Sequence, residues 1–380
     1  MIRNKKVLTI GSFSSMFFLG VGTVIIGATS RNIGLTPSQI GLMVSVQNVG
    51  FILSVITVGT LADTYDKAKL LAAASLILAV SFYFFYYKDP FYLNLFIMLI
   101  IGIGIGGYEG AADPMLLDLH KKRQSLIISI NHFFVSFGEL LITIYLIFLQ
   151  MDWRASMAQS AAAVLLLAIL FLLSRVPPRE SITESLRSRF DFLRKQRPLL
   201  VLFTLAACAI GIELALIGMI TSFLMEFHTF TQVTSKLGLV AYLGGLAAGR
   251  VVLGFFTHKD QILRNLLVSF ALTAFFMTIL LLTTPGRTMM YILLFLSGVT
   301  ISIIFPLVIT LTGLKYPRYS GTALGILKLG IPIGGIVIPF LISVLAGAVS
   351  FQVSLILFPL FAVIGFLLVY ANRTLLKIDT

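Results

Sequence analysis

Seven ionisable side chains fall inside long apolar stretches of this 380-residue chain: Glu109, Asp113, His132, Glu139, Glu213, Arg250 and Lys328. A charge in hydrocarbon is costly, so residues kept there bind, relay or pair charge. Glu109 and Asp113 are four apart, and His132 and Glu139 seven apart, so a helix puts each pair on one face. Desolvation favours a neutral carboxyl group and a nearby cation favours its anion, so a carboxylate that alternates between such settings loads and releases a proton. Glu109, Glu139, Glu213 and Asp113 are the candidates for that role. Lys328, set among Gly325, Gly330 and Pro332, either binds an anionic or carboxylate-bearing solute or pairs with a carboxylate. His132, Asn131, Tyr108, Gln47 and Asn48 join it as candidates for solute contact. For each ionisable group the competing reading is a permanent structural pair.

The elements that hold these residues are helices in a membrane. The chain is 58% hydrophobic and 11% charged, with a mean hydropathy of +1.02. Soluble domains carry about 25% charged residues, so lipid must be the solvent for most of these side chains. Apolar segments fall at 8–28, 40–61, 70–87, 92–117, 124–149, 155–174, 199–225, 235–257, 263–283, 288–313, 321–345 and 350–371. Each approaches or exceeds the roughly 20 residues a helix needs to cross a bilayer, and none shows the short alternation of a barrel strand. The expected fold is all-α and integral to the membrane, with twelve transmembrane helices. The one long polar stretch, 175–198, divides the chain into an N-terminal six-helix bundle (1–174) and a C-terminal one (199–380). The basic N-terminus leads into a first helix read as retained and not as a cleaved signal.

Orientation follows from the basic residues, which stay cytoplasmic. Of the 28 lysines and arginines, 21 fall on the side of the N-terminus, the 175–198 linker and the C-terminus; five (Arg31, Lys88, Arg154, Lys236 and Arg287) fall on the other. Both termini and the linker are therefore expected in the cytoplasm, and the protein in the inner membrane. The net charge of +13 is then a topology signal that calls for no nucleic acid. Trp153, the only tryptophan, is expected at the outer interface.

The halves echo each other. Gly59 and Asp63 recur 195 residues on as Gly254 and His258; Gly138 and His132 recur 196 residues on as Gly334 and Lys328. Two repeats with a solute site between them near the midplane are a known transporter plan.

The stretch Gly59-Thr-Leu-Ala-Asp63-Thr-Tyr-Asp-Lys67 resembles the motif between helices 2 and 3 of the major facilitator superfamily. Gly102-Ile-Gly-Ile-Gly-Gly-Tyr-Glu109-Gly-Ala-Ala-Asp113-Pro114 and Asn131-His132-Phe-Phe-Val-Ser-Phe-Gly138 are similar to helices 4 and 5 of its fucose permease branch. The resemblance implies alternating access by two bundles, with Gly59, Asp63, Lys67 and Arg250 in gating. It implies proton-coupled symport of a small polar or anionic solute, of sugar or carboxylate type, by a monomer. Two positions depart from the branch. Segment 1 has no acidic residue where the fucose permease has an aspartate, and Asp113 stands where the branch has asparagine. The alternative function is proton-driven efflux of hydrophobic or amphipathic compounds. It draws on the 32 phenylalanines, but segment 5 lacks the Gly-Pro-x-x-Gly-Gly pattern of such antiporters.

Covalent chemistry has no motif here. There is no Gly-x-x-x-x-Gly-Lys-Ser/Thr loop, the glycine run at 102–107 follows no strand, and the four histidines lack metal spacing. No enzyme activity, cofactor or metal is expected. The partners expected are a small solute, protons and the lipid bilayer.

Overall fold

The computed structural model describes residues 2–35, 37–148, 152–177, 184–283 and 285–378. Residues 178–183 of the linker, Arg179 among them, lie outside the described residues, as does the side chain of Arg31. Among the described residues, twelve helices are long and apolar enough to cross a membrane. They are spans 1 (Lys5–Ile26), 2 (Gln39–Leu61), 3 (Lys67–Phe84), 4 (Phe91–Leu119), 5 (Gln124–Leu146) and 6 (Trp153–Leu172). After the linker come spans 7 (Arg197–Phe227), 8 (Thr234–Phe256), 9 (Lys259–Leu282), 10 (Arg287–Lys315), 11 (Ser320–Ala348) and 12 (Phe351–Ala371).

The helices extend past the apolar runs that announce them. The first continues from Lys5 to Ile33 and the seventh from Arg197 to Phe227, because polar flanks go on satisfying backbone groups beyond the hydrocarbon. Two spans are broken where one run of residues suggested one helix. Span 10 divides at Ile303 and span 11 at Leu329. Both breaks lie three residues before a proline, Pro306 and Pro332. Proline has no N–H for the carbonyl four residues back, so the usual helical donors to the carbonyls of Ser302 and Lys328 are missing.

The residues divide into two compact units. The first comprises Met1–Lys122, Ile130–Phe192 and Tyr316–Ile326; the second comprises Arg123–Ser129, Leu193–Lys315 and Leu327–Thr380.

In the first unit, span 4 packs along spans 1, 2 and 3, and span 3 along span 6. Backbones approach at glycine. A Cβ on Gly102 would lie 2.1 Å from the Gln47 carbonyl oxygen, and one on Gly138 2.1 Å from that of Phe17. In lipid, where apolar side chains gain nothing by leaving solvent, such small-residue contacts drive helix packing. Trp153, expected at the outer interface, is the first residue of span 6. It is buried, edge-on to Phe85 and Tyr86 with centroids 5.9 and 6.1 Å away, and Arg154 lies over its ring. One end of this unit is stitched by backbone hydrogen bonds: Ile2 to Leu173 and Arg175, and Lys67 to Val176.

In the second unit, span 7 packs on spans 11 and 12, span 8 on span 10, and span 9 on span 12. Its glycines repeat the first unit's contacts. A Cβ on Gly298 would lie 2.2 Å from the Tyr242 oxygen, and one on Gly334 2.1 Å from that of Ala207. Gly298 and Gly334 stand 196 positions after Gly102 and Gly138. The sequence echo is thus an echo of helix contacts.

Candidate functional site: ionisable residues within the spans

Glu109 and Asp113 are one turn apart on span 4, and both are buried. Span 5 turns Asn131 and His132 toward them. The Asn131 amide nitrogen donates to Asp113 Oδ1 at 2.8 Å, and His132 Nε2 lies 3.1 Å from Asp113 Oδ2. The ligand atoms of Glu109, Asp113 and His132 all lie within 4.8 Å of one another. Span 1 completes the group, with the Ser12 hydroxyl donating to Asn131 Oδ1 at 3.1 Å. Spacing brought Glu109 to Asp113, but not His132, which comes from another helix. The cluster is compact enough to hold a cation, a proton included, and its three residues are buried.

Tyr108, expected at the solute, turns away from this group. Its hydroxyl donates to Ser75 on span 3 at 2.8 Å, and the ring is fully buried. The Gln47 amide donates to the Gly22 carbonyl of span 1 at 2.6 Å. Asn48 bonds its own helix at the Val44 carbonyl. Asn131 is occupied at both ends of its amide. Glu139 is half-buried on span 5.

The second unit joins two residues that the sequence had assigned to different tasks. Glu213 on span 7 and Arg250 on span 8 form a buried ion pair at 2.7 Å. Arg250 is therefore the partner of a mid-span carboxylate. Tyr242, two turns before Arg250 on the same face, is fully buried. Lys328 is also fully buried, as the last residue before the span 11 break.

The gating motif lies in the first unit. Asp63 Oδ1 accepts the Gly321 N–H at 2.7 Å, and Oδ2 accepts the N–H of Thr322 at 2.9 Å and its hydroxyl. These are the unsatisfied N–H groups at the start of the helix Ser320–Lys328, where the helix dipole favours an anion. Glycines on both sides permit the approach: a Cβ on Gly321 would lie 2.2 Å from the Gly59 oxygen, and one on Gly59 2.9 Å from the Gly321 oxygen. Burial pushes the Asp63 carboxyl above its usual value, while its Thr322 and Gly321 hydrogen bonds and Arg189 pull the other way. Lys67 pairs with Asp118 of span 4 at 2.8 Å.

The residue that sequence reasoning missed is Arg189. It belongs to the short linker helix Leu186–Leu193, and it is buried with Nη1 3.1 Å from the Thr60 carbonyl and 3.4 Å from Asp63 Oδ2. Glu184 holds Arg318 at 3.0 Å and the Tyr319 hydroxyl at 3.2 Å. An arginine in a linker dense with basic residues carries no local signal that it will be buried.

The sequence profile of the Major Facilitator Superfamily matches residues 8–285 and 237–377. The chain belongs to that superfamily, a family of transporters. Among solved structures it is similar to FucP, a superfamily transporter in its outward conformation, with a TM-score of 0.80 and 18% identity over 98% of this chain and 99% of that one. The proton:xylose symporter XylE gives a TM-score of 0.70 with 17% identity over 97% and 95% of the two chains. The human organic anion transporter MFSD10 gives 0.78 with 15% identity over 97% and 100%. At these identities the likeness is one of fold. No curated protein matches the sequence significantly.

Proposed function

We propose that this chain is a proton-coupled symporter that moves a small polar or anionic solute by alternating access. The observation that carries the reading is the buried Glu109–Asp113–His132 group, whose ligand atoms lie within 4.8 Å of one another. Ionisable groups are kept in a membrane interior at a cost that a proton relay justifies. A second structure of the E. coli fucose:proton symporter FucP, with a TM-score of 0.78, lends support to a sugar-type solute. The buried Lys328 supports a carboxylate or other anion. In this reading residues 1–174 and 199–380 are the two rocking bundles, and 175–198 links them in the cytoplasm. Both termini are cytoplasmic and the protein acts as a monomer in the inner membrane; the basic-residue asymmetry supports the orientation.

Asp63, Gly59, Lys67 and Arg189 form the cytoplasmic latch, and Glu213, paired with Arg250, is a second site of proton exchange. Glu139 is held as a further carboxylate on the proton route. The test is proton flux into proteoliposomes as sugars, carboxylates, nucleosides and dyes are added singly. Alkalinisation of the medium with one solute, lost in Glu109→Gln, is the expected outcome. Unchanged coupling in Glu109→Gln sinks the assignment, and proton-driven movement of dyes alone points to the exporter.

A further inference from the structure

The turn between spans 3 and 4 is held by one side chain. Asn94 is fully buried. Its Oδ1 accepts the Tyr86 N–H at 2.7 Å, and its amide nitrogen donates to the carbonyls of Lys88 at 2.7 Å and Pro90 at 3.0 Å. These bonds hold Tyr86 at a φ of 50°, in the left-handed region that side chains other than glycine rarely adopt. The buried Tyr86 ring lies edge-on to Trp153. Tyr87 and Lys88 are thus set by a turn bonded on both sides of them, and both are exposed.

A groove of about 410 Å³ runs from this turn between the two spans. Phe84 lines it from span 3, and Leu93, Phe96 and Ile100 from span 4, with Tyr87 and Lys88 at the turn. Leu93, Phe96 and Ile100 share one helix face over about 10 Å. Phe84, Leu93 and Phe96 are exposed, so the groove opens outward, toward lipid. Its size is that of pockets for small molecules, about 300–1,000 Å³. An acyl chain gains nothing by leaving other acyl chains for an apolar wall, so the groove admits any lipid chain and its polar end decides which lipid stays. Span 3 ends at Phe84 and span 4 begins at Phe91, which puts Lys88 where the helices leave the hydrocarbon. Among the described residues its ammonium pairs with no carboxylate, while the neighbouring Asp89 faces Arg154 at 3.6 Å. A cation at that level complements an anionic headgroup.

We propose that the groove between spans 3 and 4 binds an anionic phospholipid, with one acyl chain along Phe84, Leu93, Phe96 and Ile100 and the headgroup phosphate on the Lys88 ammonium. Asn94 is the positioning residue, because it sets the turn that carries the lysine at the end of the groove. The site shares no residue with the Glu109 and Glu213 groups and does not depend on what the chain transports.

The test reads a tryptophan placed in the groove. Trp153 is the only tryptophan, so Trp153→Phe combined with Phe96→Trp leaves one indole, beside the proposed acyl chain. The full-length protein is put into phosphatidylcholine vesicles containing phosphatidylglycerol of the same chain length, with one lipid or the other carrying brominated, quenching acyl chains. Phosphatidylglycerol is expected to hold the place beside the indole about fivefold more tightly than phosphatidylcholine. Lys88→Arg should keep that preference and Lys88→Gln bring it close to equality. Equal quenching by the two headgroups, or a preference that Lys88→Gln leaves in place, overturns the proposal. Quenching by neither lipid would mean that protein covers the groove, a second copy of this chain or another partner, and also overturns it. If Phe96→Trp does not reach the membrane, Leu93→Trp reports from the same wall by the same criteria. Asn94→Leu should lower the preference with Lys88 still present, and an unchanged preference removes the positioning role.

Discussion

The Arg189 guanidinium and the Asp63 carboxylate lie 3.4 Å apart, with side chains 1% and 2% exposed. A linker helix thereby places a cation on the carboxylate that caps the helix starting at Ser320. Removing one member of a buried pair leaves the other uncompensated, at about 3–5 kcal/mol. Arg189→Leu should therefore lower the melting temperature in detergent and speed cysteine labelling near Thr60 and Thr322. Asp63→Ala should do the same more strongly, because it also strips the N–H groups of Gly321 and Thr322.

Glu213 and Arg250 make a second such pair. Arg250→Leu alone is expected to cost about 3–5 kcal/mol, and the double change with Glu213→Leu to recover much of that. Thermal unfolding of both single variants and the double variant closes the cycle. Additive losses would mean the two side chains act apart.

Gly138 and Gly334 should be equally intolerant of a side chain, since a Cβ at either would lie 2.1 Å from a facing carbonyl oxygen. Gly138→Ala and Gly334→Ala are each expected to destabilise by about 1–3 kcal/mol or more. Gly347, which has open space around it, should accept alanine without loss. Comparing the melting temperatures of the three variants checks this.

His120 Nε2 lies 2.8 Å from the Thr9 hydroxyl, and burial, with Lys5 nearby, lowers the imidazole pKa from 6.5. The fold favours the neutral ring. Its contribution to stability is complete above the unfolded value and is lost as pH falls through the lower folded value. Wild type should lose melting temperature as the pH is lowered below about 6.5, and His120→Gln should lose less over the same range.

Local chemistry made the spans legible, because a residue's affinity for lipid is a property of the residue itself. The ionisable positions stood out for the same reason, and Gly59-to-Lys67 was legible as a motif by residue type and spacing, although its contacts reach Gly321, Thr322 and Asp118. Helical spacing put Glu109 over Asp113. What spacing cannot say is which neighbour a face meets. His132 and Asn131 reach Asp113, and Arg250 reaches Glu213, from other helices; Tyr108 turns to Ser75 where Gly107 lets span 4 close on Ala74 of span 3. Arg189 is the clearest case. Its sequence surroundings are those of a solvated basic linker, and only the fold brings it to Asp63, where burial strengthens the pairing and makes it matter.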